Sequence, residues 1–420
     1  MTHSNWFRDA RYGLLIHFGS YALTGWEAAW SLQWGAISYN DYESLADRFN
    51  PQKYDPAAWA ELAVESGIKY VILTTKHHDG FALWDTQLSD YSAPKRAAQR
   101  DLVRPYVEAF RAAGLRIGLY LTLPDWHHPD YPVGIINPLP RRVRPVSALP
   151  PNAPLSIEAE PERWERYIAF MHGQVRELCT MFGEIDLFWF DGHWEHTAEE
   201  WRGKELAAMI RGLQPESVIN DRLGEPGIGD YGTPEQFIPI EPIQGDWETC
   251  MTVNETWAYS PTDMAFKSCA ELIATLVEVV ARGGNLLLGI GATAEGEIPP
   301  EFSSRLRVVG EWLKRNGESI YGAGRGLSSG VCLYPSTAKG DAVYLHVLGR
   351  PAGDVVRVLA LDRRLRDVRL LATGEPLAFD ADRAHPRDAI RNPPHVSPLR
   401  IYLPPQLIDP YDTVIKLQFE

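Results

Sequence analysis

The sequence predicts an α/β protein in which a (β/α)8-like TIM barrel precedes a C-terminal antiparallel β-sandwich. Short apolar runs, typical of buried parallel strands, alternate with long helical stretches as far as residue 316. Seven or eight such units favour a closed barrel over an open doubly wound sheet. Beyond Tyr321-Gly322-Ala323-Gly324 the helical pattern stops, and short alternating runs follow. We therefore expect a barrel over residues 1–322 and a sandwich over residues 323–420.

The predicted elements follow from periodicity and from turn residues. Apolar runs predict barrel strands at 12–17, 70–75, 116–121, 185–191, 217–220 and 285–290. Helical periodicity predicts helices at 56–66, 101–113, 161–182, 199–213, 266–282 and 299–316, the first two ended by Gly67 and Gly114. The segments 129–154 and 224–246 are interpreted as loops. Alternating runs predict sandwich strands at 342–347, 355–359, 368–371, 399–403 and 414–417.

Composition excludes several classes of protein. The net charge of −14 over 420 residues argues against nucleic acid or an anionic membrane surface as a partner. No run of about 18 apolar residues predicts a transmembrane helix, and the first residues lack a secretory signal pattern. Four scattered cysteines without a CxxC pair indicate free thiols. We expect a cytoplasmic protein, and the sequence leaves open whether it forms a homo-oligomer.

Polar side chains recur where the predicted barrel strands end, which is where barrel enzymes carry their catalytic groups. Each of these residues alone has an ordinary structural explanation, such as a helix cap or a buried hydrogen bond, but five strand ends share the pattern. Two further acidic residues lie in the predicted loops after the fifth strand. The strand-end candidates are His17, His77, His78, Tyr120, Asp191 and Arg222, and the acidic candidates are Glu235 and Glu248.

Three catalytic classes compete for these residues. His17, His77, His78 and Asp191 have metal-ligand chemistry, but the sequence has neither an HxH pair nor an HExxH helix. A serine nucleophile lacks its GxSxG turn, and no GxGxxG or P-loop motif indicates a nucleotide. Two carboxylates surrounded by tryptophan and histidine suit glycoside hydrolysis. This class needs neither a metal nor an organic cofactor, and we expect neither.

The strand-end motifs together resemble glycoside hydrolase family 29, the α-L-fucosidases. The match extends from about Trp6 to Gly322, and its motifs are specific when they occur in this order. The family fold, a barrel followed by a β-sandwich, agrees with the prediction above. The motifs are His17-Phe18-Gly19, Lys76-His77-His78-Asp79-Gly80-Phe81, Trp189-Phe190-Asp191-Gly192, Asn220-Asp221-Arg222, Trp247-Glu248 and Gly284-Asn285-Leu286-Leu287-Leu288.

The resemblance implies a retaining exo-α-L-fucosidase that acts on fucosides or on the terminal fucose of glycans. Asp191 matches the nucleophile, and the three histidines match residues that hydrogen-bond the fucose hydroxyls. Trp257 lies where the family has an aromatic residue beside the C5 methyl group. Tyr120, Trp189 and Arg222 match further residues that line the site.

The general acid/base has two candidates, because its position varies within the family. Glu235, 44 residues after Asp191, resembles the acid/base of one branch, and Glu248, 57 residues after it, resembles that of another. We favour Glu235. The residue that takes this role needs a raised pKa in the free enzyme, so that it is protonated when the glycoside binds.

One motif departs from the family pattern. Many members carry a Trp-Glu pair in the first β/α loop, where this chain has Gln33 followed by Trp34. Gln33 brings no charge to the predicted hydroxyl contact, and Trp34 is expected to bind substrate. A fucose-binding protein without turnover, a glycosidase for L-galactose and a transfucosidase are the remaining alternatives, and the fucosyl linkage stays open.

Overall fold

Eight parallel strands form the barrel sheet, in the order β5-β4-β3-β2-β1-β8-β7-β6. The computed structural model describes residues 6–132, 146–241, 243–349, 351, 353–361, 363–381 and 397–420. The sheet closes through a single parallel bridge between Asn220 and Tyr231, which joins the two edge strands. The strands are β1 Tyr12–His17, β2 Tyr70–Lys76, β3 Arg116–Thr122, β4 Leu187–Asp191, β5 Val218–Ile219, β6 Tyr231–Gly232, β7 Asp246–Thr252 and β8 Asn285–Gly291.

The helices cover the outside of this sheet. Asp55 caps the helix that follows it, with its carboxylate accepting two backbone N–H bonds, and Ser268 forms a capping box with Glu271 at the start of another. The six predicted helices are observed within a few residues, although the one predicted at 199–213 is divided in two at residue 202, and the short helices at 6–10, 30–33 and 39–43 were not predicted. The helices are α1 Trp6–Ala10, α2 Trp30–Gln33, α3 Tyr39–Glu43, α4 Pro56–Glu65, α5 Val103–Ala112, α6 Pro161–Met181, α7 Ala198–Trp201, α8 Gly203–Leu213, α9 Cys269–Ala281 and α10 Pro300–Asn316.

Two antiparallel sheets follow the barrel. The larger has the order β13-β16-β11-β10-β9 and the smaller the order β12-β15-β14, with a second hydrophobic core between them. Trp312 of α10 donates its indole N–H to the Asp412 carbonyl, which fastens the larger sheet to the barrel. The strands are β9 Gly324–Arg325, β10 Ser336–Lys339, β11 Ala342–Leu348, β12 Val355–Leu361, β13 Leu365–Leu370, β14 Phe379–Asp380, β15 Ser397–Tyr402 and β16 Asp412–Phe419.

The barrel and the antiparallel sheets confirm the predicted fold class. The interpretation of 224–246 as a loop was wrong in part, because β6 lies within it and β7 begins at its last residue. These strands carry tyrosine, glutamate and threonine where a buried parallel strand usually carries aliphatic residues, so apolar runs do not reveal them. Of the predicted loop 129–154, residues 133–145 lie outside the described residues.

Candidate active site

A cavity opens at the C-terminal ends of the barrel strands, the end at which barrel enzymes place their active sites. Counted with the open space at its mouth, it encloses about 360 Å³. Eight of the eleven lining residues were candidates from the sequence. The lining consists of Leu15, His17, Trp30, His77, Tyr120, Trp189, Asp191, Trp194, Arg222, Glu235 and Trp257.

Asp191 is the last residue of β4, and both of its carboxylate oxygens have partners. Oδ1 accepts a hydrogen bond from Arg222 Nη1 at 2.7 Å, and Oδ2 accepts one from the Tyr120 hydroxyl at 2.9 Å. His78 Nε2 lies 3.6 Å from Oδ2. Gly192 turns the chain immediately after the strand with φ +77°, in the left-handed region. Glycine is needed there because a Cβ would collide with the Pro124 ring. The carboxylate is therefore fixed in one orientation.

The charge state of Asp191 follows from opposing effects. Burial disfavours the carboxylate, but the Arg222 guanidinium, His78 and the two hydrogen bonds outweigh it, so the pKa of Asp191 lies below its usual value. Burial and the neighbouring Asp191 charge raise the pKa of Tyr120 well above 10, so its hydroxyl stays a donor. Asp191 is thus an ionised carboxylate at neutral pH.

Three histidines surround this carboxylate, although two of them are neighbours in sequence. Alternation would direct His77 and His78 to opposite faces of a strand, but β2 ends at Lys76 and both rings lie past it. The two ring centroids are 4.3 Å apart, and those of His17 and His77 are 5.6 Å apart. The strand end therefore brings all three rings to one site.

The histidines at the cavity wall are neutral. Burial lowers the pKa of His17 to about 3 and the pKa of His77 well below its usual value. Nδ1 of each ring is buried without a protein hydrogen-bond partner in the described structure. A neutral imidazole both donates and accepts, which suits binding of a hydroxyl-bearing ligand.

Trp257 forms an apolar side of the cavity, and its ring centroid lies 5.5 Å from that of His17. Gly289 of β8 makes room for it, since a Cβ there would approach the indole ring to 2.7 Å. The half-buried Glu27 carboxylate accepts the Trp257 backbone N–H at 2.9 and 3.0 Å. Burial raises the pKa of Glu27 to about 7, against these backbone donors. Sequence reasoning missed Glu27, which has no local motif.

Glu235 lines the cavity and shares Arg222 with Asp191. Its Oε2 accepts a hydrogen bond from Arg222 Nη2 at 2.8 Å, and its side chain is 40% exposed. The backbone is fixed by a parallel bridge to Cys250 of β7. Gln236, in the left-handed region at φ +61°, follows it and hydrogen-bonds Thr252 with its side chain. A single guanidinium therefore joins two carboxylates that face one cavity.

Glu248 does not line this cavity. It lies in the first half of β7, fully buried, where Trp189 Nε1 donates to it at 3.1 Å and the Tyr70 hydroxyl donates to its other oxygen. Its register partner is Asn285, the first residue of β8, so it occupies the N-terminal end of the barrel interior. Burial raises the pKa of Glu248 to about 7. The pKa suits a general acid, but the location does not.

In the first β/α loop, the tryptophan that lines the cavity is not the one named from the sequence, and the predicted substrate contact of Trp34 stays a prediction. Trp30, not Trp34, lines the cavity, and its ring lies 5.5 Å from that of His78. Trp34 is 46% exposed outside the cavity, and Gln33 is buried away from it. The two tryptophans are one helical turn apart, so sequence alone could not separate them. Trp194 was also missed, although it follows Asp191 closely in sequence.

Parts of the sequence motifs support the site without lining it. The buried Lys76 ammonium donates to Asp125 at 3.1 Å and to Gln174 at 2.8 Å. Asp125 in turn accepts the backbone N–H groups of His127 and His128. Within the described ranges, no group of three or more His, Cys, Asp or Glu residues is arranged to bind a metal ion. No helix there is long and apolar enough to cross a membrane.

Comparison with known proteins gives one consistent result. The family model described as Alpha-L-fucosidase matches residues 1–318. Tissue alpha-L-fucosidase from Homo sapiens is 30% identical over 383 residues, covering 84% of this chain and 77% of that protein. The expected cytoplasmic location, the absence of a nucleic-acid partner and the oligomeric state stay predictions.

Solved structures agree with these matches. The structure of alpha-L-fucosidase isoenzyme 1 from Paenibacillus thiaminolyticus is 38% identical, with a TM-score of 0.87 over 100% of this chain and 99% of that chain. An alpha-L-fucosidase GH29 from Bacteroides thetaiotaomicron is described as a trapped covalent intermediate with 2-fluoro-fucosyl fluoride. It is 27% identical, with a TM-score of 0.83 over 99% of this chain and 95% of that chain.

Proposed function

This chain belongs to the α-L-fucosidase family of glycoside hydrolases, and from that premise we propose that it is a retaining exo-α-L-fucosidase with Asp191 as nucleophile and Glu235 as acid/base. The observation that carries the proposal is that Asp191 and Glu235 line the same cavity, with Arg222 hydrogen-bonded to both carboxylates. Two carboxylates that flank a scissile glycosidic bond are the chemical requirement of this reaction.

In the first step, an Asp191 oxygen attacks the anomeric carbon of the fucoside. The glycosidic C–O bond breaks, and Glu235 gives its proton to the leaving oxygen. The low pKa of Asp191 favours this role, because the attacking group must be ionised. The Tyr120 hydroxyl and the Arg222 guanidinium orient the carboxylate for the attack.

In the second step, Glu235 accepts a proton from water, and the resulting hydroxide equivalent attacks the same anomeric carbon. The bond to Asp191 breaks and releases fucose with its original anomeric configuration. The partial exposure of Glu235 supports this role, because the residue must meet a departing aglycone and an arriving water molecule. The covalent intermediate described for the Bacteroides relative supports the two-step course.

Substrate recognition is proposed to rest on the cavity walls. The neutral rings of His17 and His77 bind sugar hydroxyls, with His78 between them and the nucleophile. Trp257 contacts the C5 methyl group, where a polar wall would lose its hydration without compensation. Trp189 and Trp30 complete the apolar surface. This division of polar and apolar contacts favours fucose over L-galactose, which carries a hydroxymethyl group at C5.

The proposal is tested by incubating the protein with 2-fluoro-α-L-fucosyl fluoride and mapping the labelled peptide by mass spectrometry. We expect the label on Asp191 and retention of configuration in the hydrolysis product of a nitrophenyl α-L-fucoside. Label on a different carboxylate contradicts the assignment. Binding of fucose without turnover of any fucoside identifies a fucose-binding protein instead.

A further inference from the structure

We propose that Trp26 and Trp34 form an aromatic platform outside the cavity that binds the sugar ring to which the fucose is attached. The inference rests on the proposed function and adds the residues that bind the second ring, a pyranose, of a fucosyl oligosaccharide. The two indoles are 38% and 46% exposed, unusual for tryptophan in a folded protein. Their ring centroids lie 5.3 Å apart.

The platform is continuous with the cavity wall. Trp30, which lines the cavity, lies one helical turn before Trp34, and their ring centroids are 6.1 Å apart. The tryptophans therefore extend from the site of the fucosyl ring to the protein surface. In an exo-acting enzyme the aglycone leaves the cavity through its mouth, so its first ring meets whatever borders that mouth. Exposed aromatic surface at such a place marks a ligand-binding surface.

The platform is rigid before a ligand arrives. The Trp34 backbone N–H donates to the Trp30 carbonyl at 2.9 Å, and Trp30 N–H donates to the Glu27 carbonyl at 2.9 Å. The Glu27 side chain binds the Trp257 backbone, which ties the same segment to the opposite wall of the cavity. Because the backbone of this segment is already fixed, no backbone freedom is lost when an exposed indole here stacks on a sugar ring.

The chemistry of the platform selects a pyranose. The face of a sugar ring presents axial C–H groups, and these pack against the electron-rich face of an indole. We therefore expect the platform to distinguish substrates by the presence of a second sugar ring.

The test compares two substrates that differ only beyond the fucosyl ring. One is α-L-fucosyl fluoride, which has no aglycone ring, and the other is the better hydrolysed of α-L-fucosyl-(1→2)-galactose and α-L-fucosyl-(1→3)-N-acetylglucosamine. The quantity measured is the ratio of kcat/KM for the disaccharide to kcat/KM for the fluoride. We expect Trp34→Ala to lower this ratio at least fivefold, mainly through KM, and Trp34→Phe to restore most of it.

The control is Tyr402→Ala, which removes an exposed aromatic ring of similar exposure, 44%, from β15 in the C-terminal sheets. We expect its ratio to equal that of the wild type. A ratio within twofold of the wild type in both Trp34→Ala and Trp26→Ala overturns the platform while leaving the proposed hydrolysis intact.

A binding measurement separates the platform from turnover. Calorimetric titration of Asp191→Ala with the disaccharide and with methyl α-L-fucoside gives the affinity gained from the second ring. We expect the double variant Asp191→Ala/Trp34→Ala to lose this gain. If the wild type hydrolyses neither substrate while Trp34→Ala still weakens disaccharide binding, the proposed function fails and the platform stands. An unchanged affinity gain in the double variant overturns the platform.

Discussion

The two ends of the barrel interior use acidic side chains in opposite ways. At the C-terminal end, Asp191 and Glu235 share Arg222 and face an open cavity. At the N-terminal end, Glu248 is sealed between Tyr70 and Trp189, fully buried. A raised pKa near neutrality therefore does not identify a general acid in this fold. The group must also reach a leaving oxygen, and only the first end offers that access.

The largest loss of activity is expected at Asp191, the proposed nucleophile at the C-terminal end of the barrel. Asp191→Ala removes the attacking oxygen, and we expect kcat for a nitrophenyl α-L-fucoside to fall by roughly 10⁴-fold or more. Asp186→Ala is the matched control, because Asp186 flanks the opposite end of the same strand and is also paired with an arginine, at 2.7 Å from Arg116. Comparable losses in both variants would mean that the defect is structural.

The second prediction separates the two glutamates. Glu235→Ala is expected to lower kcat/KM by about 10²- to 10⁴-fold for a fucoside with a poor leaving group, since the leaving oxygen is no longer protonated. A nitrophenyl leaving group lessens the loss, and azide restores turnover by attacking the fucosyl-enzyme in place of water. Glu248→Gln is expected to keep kcat/KM within tenfold of the wild type. The reverse order would assign the acid/base role to Glu248.

The third prediction concerns how Glu248, at the N-terminal end of the barrel interior, makes the stability of the protein depend on pH. The pKa of Glu248 is raised from 4.5 to about 7, so between these pH values the folded state binds more protons than the unfolded state. The contribution of Glu248 to the free energy of unfolding is therefore complete below pH 4.5, and it declines as the pH rises towards 7. The whole decline amounts to roughly 3 kcal/mol.

Glu248→Gln removes this slope, because glutamine does not titrate. We expect the variant to gain stability relative to the wild type as the pH is raised from 4.5 to 7, measured by urea unfolding at several pH values. Glu311→Gln, which alters an exposed glutamate on α10, serves as the control and should follow the wild type. Parallel pH profiles for wild type and Glu248→Gln would refute a raised pKa of Glu248 in the folded protein.

The smallest expected effect lies beside the cavity at the C-terminal end of the barrel, at Glu27. Glu27→Ala removes the acceptor that fixes the Trp257 backbone, and we expect KM for fucosides to rise about tenfold with a smaller change in kcat. Glu255→Ala removes an exposed carboxylate two residues before Trp257 and should leave KM near the wild-type value. Equal KM values in the two variants would show that Trp257 needs no anchor.

Much of the fold followed from local chemistry. Hydrophobic strands such as β1 and β8 are apolar because both faces are covered, and their periodicity distinguishes them from the helices between them. The positions of His17, Asp191 and Arg222 at strand ends followed from the same pattern, because a polar residue that ends an apolar run can be recognised from the sequence alone. β6 and β7 were missed because they carry tyrosine, glutamate and threonine, so that no continuous apolar run marks them in the sequence.

The sequence by itself determined the fold class, the family resemblance and the presence of a carboxylate at the end of β4. Tertiary structure alone decided which further residues face that carboxylate. Glu235 and Glu248 are both acidic residues near tryptophan or proline, and Trp30 and Trp34 differ by one helical turn. Their separation depends on the direction of each side chain relative to a closed barrel. That direction arises from long-range strand register and packing, which neighbouring residues in a sequence do not encode.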